Sequence, residues 1–189
     1  QAAAIGRDGE ALVLDMGSPV RIADVAQQLV AQSPDPIQIV YTGLRPGGRV
    51  SHWFVMDVPA IDRVVIITDA AVNIFPTLQD KVHIVQNAID LVRALGRDQP
   101  KVAILSAMET VNPQVPSTIE AAALCKMAER GQISGGLLDG PLAPDNAIDL
   151  GAAKIKKIAS SVAGQADILV VPDLEAGNML AKSLSFMAD

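Results

Sequence analysis

Cysteine is almost missing from this chain: Cys125 is the one cysteine in 189 residues. A lone thiol excludes an internal disulfide and fits a reducing cytoplasm. Aromatic residues make up only 3%, while half of all residues are hydrophobic, so the core must be built from Ala, Val, Ile and Leu. Basic residues are outnumbered, 15 Lys and Arg against 21 Asp and Glu, leaving a net charge of −6. That balance argues against a nucleic-acid partner, which needs a basic face. No apolar run approaches the roughly 18 residues of a membrane span, so no membrane partner is expected. The opening QAAAIGRDG lacks the charged and apolar regions of a signal peptide. Gln1 in place of a starting Met suggests a piece cut from something longer. Two histidines, His52 and His83, have no partner at metal-ligand spacing, and no metal site is expected. GxGxxG, P-loop and GxSxG motifs are all absent, so spacing alone delivers no mechanism.

What is present is an alternation. Apolar runs at 11–14, 37–40, 63–67, 102–105, 134–138 and 168–171 each end in polar residues. Several are continuously apolar, as expected of strands covered on both faces. Helical segments separate them. Thr77 with Asp80 opens one that Gly96 closes, with apolar residues at 78, 82, 85, 89 and 92 on one face. Ser117 with Glu120 has the pattern of a capping box for a helix over 118–130, stopped by Gly131. Further helices are predicted over 22–31, 150–160 and 178–188. Strands alternating with helices predict an α/β fold, a three-layer α/β/α arrangement around a mainly parallel, doubly wound sheet. The seam between a segment 1–49 and a domain 50–189 falls at Leu44-Arg45-Pro46-Gly47-Gly48-Arg49.

In a parallel sheet the polar turns after the strands collect on one edge, where open α/β sheets place their ligands. That edge is predicted to present Thr68, Asp69, Asn73, Ser106, Glu109, Thr110, Asp139, Gly140, Pro141, Asp145, Asp173, Glu175, Gly177 and Asn178. Gly140, Gly177 and nearby helix starts could offer backbone N–H groups to an anion. Each has a plainer reading as well. Asp and Asn at such turns are usually caps or Asx turns, and Gly177 could simply serve turn geometry. Cys125 reads as a small core residue within its helix. Lys154, Lys156 and Lys157 read as a solvated helix face.

Five stretches carry a resemblance: TDAAVNI (68–74), QNAIDLVRALG (86–96), KVAILSAMETVNPQVPST (101–118), AAALCKMAERGQISGGLLDGPLAPDNAI (121–148) and AGQADILVVPDLEAGNMLAKSL (163–184). Together they resemble the phosphate acetyltransferase/phosphate butyryltransferase family, nearest to its bifunctional enoyl-CoA hydratase/phosphate acetyltransferase type. The resemblance implies acyl transfer between CoA and orthophosphate, with both as substrates and no cofactor. It also implies a cleft between two α/β domains, of which residues 50–189 resemble the second, inserted one. The turns 106–110, 139–141 and 173–178 would then form one wall of the cleft. The family's Ser-Arg and Asp motif and its upstream arginines have no counterpart here, so no residue is assigned a catalytic role. Pro144 stands where an aromatic is usual.

Residues 9–30 and 37–50, GEALVLDMGSPVRIADVAQQLV and IQIVYTGLRPGGRV, resemble instead the C-terminal segment of nucleotide-sugar epimerase/dehydratases of polysaccharide biosynthesis. The two resemblances together imply a chimera, inactive alone as an acyltransferase. The alternative is a non-catalytic folded α/β domain that self-associates as a homo-oligomer.

Overall fold

The inner strands of the sheet face two packed layers, and the alternation of side chains along β2 shows why. A computed structural model describes residues 50–58 and 63–187. β2 (Arg63–Thr68) sends Val65 and Ile67 to one face and Ile66 to the other, all at most 3% exposed. Burial of each such side chain is worth about 1.5–3 kcal/mol. The strand order is β1 (Phe54–Val58), β2, β5 (Ile168–Val170), β3 (Lys101–Leu105) and β4 (Leu137–Leu142). β1 is antiparallel to β2, and every other pairing is parallel. The sheet is therefore mixed but mostly parallel, as the alternation requires. The predicted runs at 11–14 and 37–40, the helix at 22–31 and the seam lie outside the described residues.

One face is covered by α1 (Leu78–Ala94) and α2 (Pro116–Glu129), which bury Val82, Val85, Ile89 and Leu124 against Ile66, Val102, Ile104, Ile168 and Val170. The other face carries α3 (Pro144–Ile148), α4 (Leu150–Ile155) and α5 (Leu174–Met187) over Val65, Ile67, Ala103, Leu105 and Leu169. Among the described residues no aromatic is in the buried core.

α1 has the predicted start and stop: Thr77 and Asp80 form a reciprocal capping box, and Gly96 turns the chain out at φ +95°. Elsewhere the structure corrects the sequence reading. α2 starts at Pro116, whose fixed φ and missing N–H suit a first helical turn. The residue before it, Val115, makes no side-chain cap, so Ser117 and Glu120 are not a capping box. α4 stops at Ile155 rather than 160, because Lys157 takes a left-handed φ of 56°. α5 starts at Leu174, not 178, with the Asp173 carboxylate accepting from Ala176 N. β4 starts at Leu137 rather than 134, since Gly135, at φ +86°, still belongs to the turn before it. β1 matches none of the apolar runs; it adds an antiparallel edge.

Candidate functional site

The carboxyl end of β2 is tied both to the residue after β5 and to the segment before β1. Val171 N donates to Thr68 O at 2.8 Å, and Thr68 Oγ1 donates to His52 O at 2.9 Å. Asp69, 2% exposed, then organises the loop that follows β2. Its Oδ1 accepts from Ala71 N and Val72 N, each at 3.1 Å, and its Oδ2 accepts from Asn73 N at 3.0 Å and from Asn73 Nδ2. Asn73 Nδ2 also reaches Val50 O at 2.9 Å. An aspartate so engaged is a turn-former, the plainer reading of its position.

The first turn of α5 closes on that loop. Asn178 Nδ2 donates to Ala70 O at 3.2 Å, and Leu174 N donates to Ile74 O at 3.2 Å. Gly177 makes the approach possible. A Cβ there would lie 2.5 Å from Val171 Cγ2 and 2.8 Å from Ala70 Cβ, closer than any side chain tolerates. Gly177 is thus required by packing of α5 on the β2–β5 corner, not by a turn, since it lies inside the helix.

The loop after β3 is built from distant partners. Ser106 N donates to Leu142 O at 2.9 Å, and Ser106 Oγ lies 2.9 Å from Ser117 Oγ. Glu109 accepts from Asn146 Nδ2 in α3 and from Lys156 Nζ at the end of α4; Lys156 Nζ is also 3.8 Å from Asp145. The Lys156 bond is the main reason the Glu109 carboxyl sits below its ordinary range. In return the bond to Glu109 is the main reason the Lys156 ammonium sits above its own. Lys156 therefore belongs to an ion pair across this edge, not to a uniformly solvated basic face. Ser117 likewise acts through Ser106 rather than as a cap. Asn146 is fully buried. Lys81, only 4% exposed, pairs with Glu120 and joins the first turns of α1 and α2 beside the same edge.

The remaining predicted residues fall elsewhere. Asp139, Gly140 and Pro141 lie within β4, not in a turn beyond it. Ala103 pairs with Asp139 and Leu105 with Leu142, so Gly140 and Pro141 stand opposite the single residue Ile104. That is a β-bulge, one of the few strand positions open to proline. Gly140 is required there, since a Cβ would come within 2.7 Å of Ile104 O. Asp139 Oδ1 accepts from Gly140 N at 2.8 Å. Asp173 holds the start of α5, while Thr110 and Glu175 are exposed. Cys125 packs near Gly140 O at 3.7 Å, and burial, helped by Asp139 and Glu129, pushes its thiol up to about 12. Such a thiol is protonated at neutral pH and a poor nucleophile.

The edge thus offers a shaped, hydrogen-bonded wall in which Asp69, Asp173 and Glu109 already have partners. None of them is poised as a general base. Among the described residues no group of three or more His, Cys, Asp or Glu is placed to hold a metal ion.

A family model described as Phosphate acetyl/butaryl transferase matches residues 22–189. The chain is 58% identical over 187 residues to a phosphate acetyltransferase of Rhizobium meliloti, covering 99% of this chain and 56% of that protein. It is 51% identical over 146 residues to a probable phosphate butyryltransferase of Bacillus subtilis, covering 77% of this chain and 49% of that one. Among solved structures, a branched-chain phosphotransacylase from Enterococcus faecalis superposes with a TM-score of 0.66 at 37% identity, over 70% of this chain and 47% of that chain. The chain spans about half the length of the curated relatives it matches.

Proposed function

The chain belongs to the Phosphate acetyl/butaryl transferase family, and we propose that residues 50–189 form one wall of a cleft for acyl transfer between CoA and orthophosphate. In that reaction a phosphate oxygen attacks the thioester carbonyl, the C–S bond breaks, and the CoA thiolate leaves as acyl phosphate forms. The observation that carries the proposal is the carboxyl edge of the sheet. There Asp69 and Glu109 fix the loops after β2 and β3, and Gly177 lets α5 pack on the β2–β5 corner, at the place where parallel sheets bind ligands. The wall positions substrates. Charge stabilisation and the main catalytic groups come from residues that these 189 do not include, so the chain by itself does not turn over.

Residues 1–49 share this origin. The family match begins at residue 22, and the Rhizobium meliloti alignment runs across the Leu44–Arg49 stretch, which favours one continuous family chain over a join of two parents. We place the protein in the cytoplasm, in keeping with its single cysteine. Among the described residues no helix is long and apolar enough to cross a membrane. Self-association as a homo-oligomer is part of this reading, and sedimentation giving a clean monomer would remove it.

The test is a replacement. Exchanging the matching 187 residues of the Rhizobium meliloti phosphate acetyltransferase for this chain should leave a protein that releases thiol from acetyl-CoA when phosphate is present. The 189 residues alone should give only background release. A folded exchange protein without activity would overturn the acyltransferase reading, and rapid turnover by the chain alone would overturn its role as one wall.

A further inference from the structure

The edge read as the cleft wall also carries an imidazole whose nitrogens are left unpaired among the described residues. His52 lies just before β1, and its carbonyl accepts from Thr68 Oγ1 at 2.9 Å, which fixes it beside the carboxyl end of β2. Its ring leans edge-on against the Phe54 ring, with centroids 4.6 Å apart and planes at 62°. Phe54 in turn packs on the core beneath α3, α4 and α5. Backbone and ring are both held, so the imidazole has a defined orientation.

The two ring nitrogens differ. Nδ1 is buried and has no hydrogen-bond partner among the described residues. Nε2 has none there either, but it is not buried. In the neutral ring one nitrogen carries the proton and the other a lone pair. A buried N–H without an acceptor is rarer and costlier than a buried acceptor without a donor. The proton therefore belongs on Nε2, and the lone pair on Nδ1. His52 then presents an uncharged N–H donor at the edge where Asp69, Asp173 and Glu109 already accept from the protein's own donors. Those carboxylates repel a phosphate but not a carbonyl group, which is uncharged. An uncharged donor beside them suits an uncharged acceptor.

We propose that His52 Nε2–H donates to the carbonyl oxygen of the acyl group and so orients the thioester on this wall. The role rests on the acyltransferase reading of the edge and names the part of the substrate that His52 recognises. No proton leaves the ring, and the bond is made before phosphate attacks.

Two measurements test it. Long-range ¹H–¹⁵N imidazole spectra of the 189-residue chain at neutral pH, with His52 signals identified by their loss in His52→Gln, should show the proton on Nε2. Calorimetry without phosphate then compares acetyl-CoA with its S-ethyl thioether analogue, in which a methylene replaces the carbonyl, on the exchange protein. His52→Met, similar in reach but without a donor, should weaken acetyl-CoA about three- to tenfold and leave the thioether unchanged. His52→Gln, which keeps an N–H at similar reach, should retain most of the acetyl-CoA affinity. A general packing role would move both ligands together. A proton on Nδ1, equal weakening of both ligands, or acetyl-CoA affinity unchanged in His52→Met would overturn the proposal. If the exchange protein still releases thiol in any of those cases, the acyltransferase reading stands without it; a folded exchange protein with no activity overturns both.

Discussion

Asp69 and Glu109 are both carboxylates on loops that leave parallel strands at the same edge, yet they do opposite things. Asp69 has one methylene and cannot reach beyond its own loop. Its four bonds go to residues two to four positions ahead. Glu109 has two methylenes and joins residues 37 and 47 positions away, on α3 and α4. The first carboxylate shapes a turn from within, while the second ties separate elements together across the surface. Reach and burial, more than charge, decide which role an acidic residue takes at a strand end.

The comparison is broken most directly at Asp69. Asp69→Ala removes the buried carboxylate that accepts from the N–H groups of Ala71, Val72 and Asn73. Loss of a buried acceptor with several partners costs about 3 kcal/mol. For a chain of this size that is a fall in Tm of roughly 6–12 °C by calorimetry. A fall of under about 2 °C would mean that water replaces the carboxylate and that Asp69 is not the organiser of its loop.

Gly177 comes next, because it is the point at which α5 touches that loop. Gly177→Ala adds a methyl 2.5 Å from Val171 Cγ2 and 2.8 Å from Ala70 Cβ. Overpacking of this kind costs about 1–3 kcal/mol. Gly131→Ala is the useful contrast: its Cβ would meet nothing within 4 Å, and only its φ of +77° opposes the change. Denaturant midpoints should rank Gly177→Ala as the more harmful. The reverse order would show that the α5 contact yields easily and that the corner is softer than its geometry implies.

The same division explains what could be read in the sequence. Whatever is encoded within a few residues was legible: β2, β3 and β5 as apolar runs, α1 with its Thr77–Asp80 cap and Gly96 exit, and Asp69 as an Asx-type turn. Signals with two local meanings misled. Ser117 and Glu120 have the spacing of a capping box, but Pro116 sets the helix start and frees both side chains for Ser106 and Lys81. Gly135 and Gly136 precede Leu137 as though part of its strand, yet belong to the turn, which moved β4 forward and drew Asp139 to Pro141 into it. Asn146 and Lys156 were out of reach of any local pattern. Their link to Glu109 forms only when α3, α4 and the loop after β3 have all packed on the sheet.

The smallest expected effect belongs to that Glu109–Lys156 pair, and pH separates it from the others. The pair is partly exposed, with side-chain exposures of 23% and 43%, and such pairs add little to stability. Lys156→Met should therefore lower the midpoint at neutral pH less than Gly177→Ala does. The carboxyl of Glu109 is depressed in the folded chain, so its contribution is present above the unfolded-state range, near 4.3, and fades as pH falls through the folded value. The Lys156 ammonium is raised, so its share is present below the ordinary lysine range and fades as pH rises through the folded value. The pair thus contributes across a plateau between those limits and not at either extreme. Removing Lys156 takes away the main cause of the Glu109 shift. A carboxyl ¹³C titration should then move Glu109 upward toward its ordinary range in Lys156→Met and leave it unmoved in Gly177→Ala. If Glu109 titrates alike with and without Lys156, the two loops differ only in length, and Glu109 is held by Asn146 and its own backbone as locally as Asp69 is.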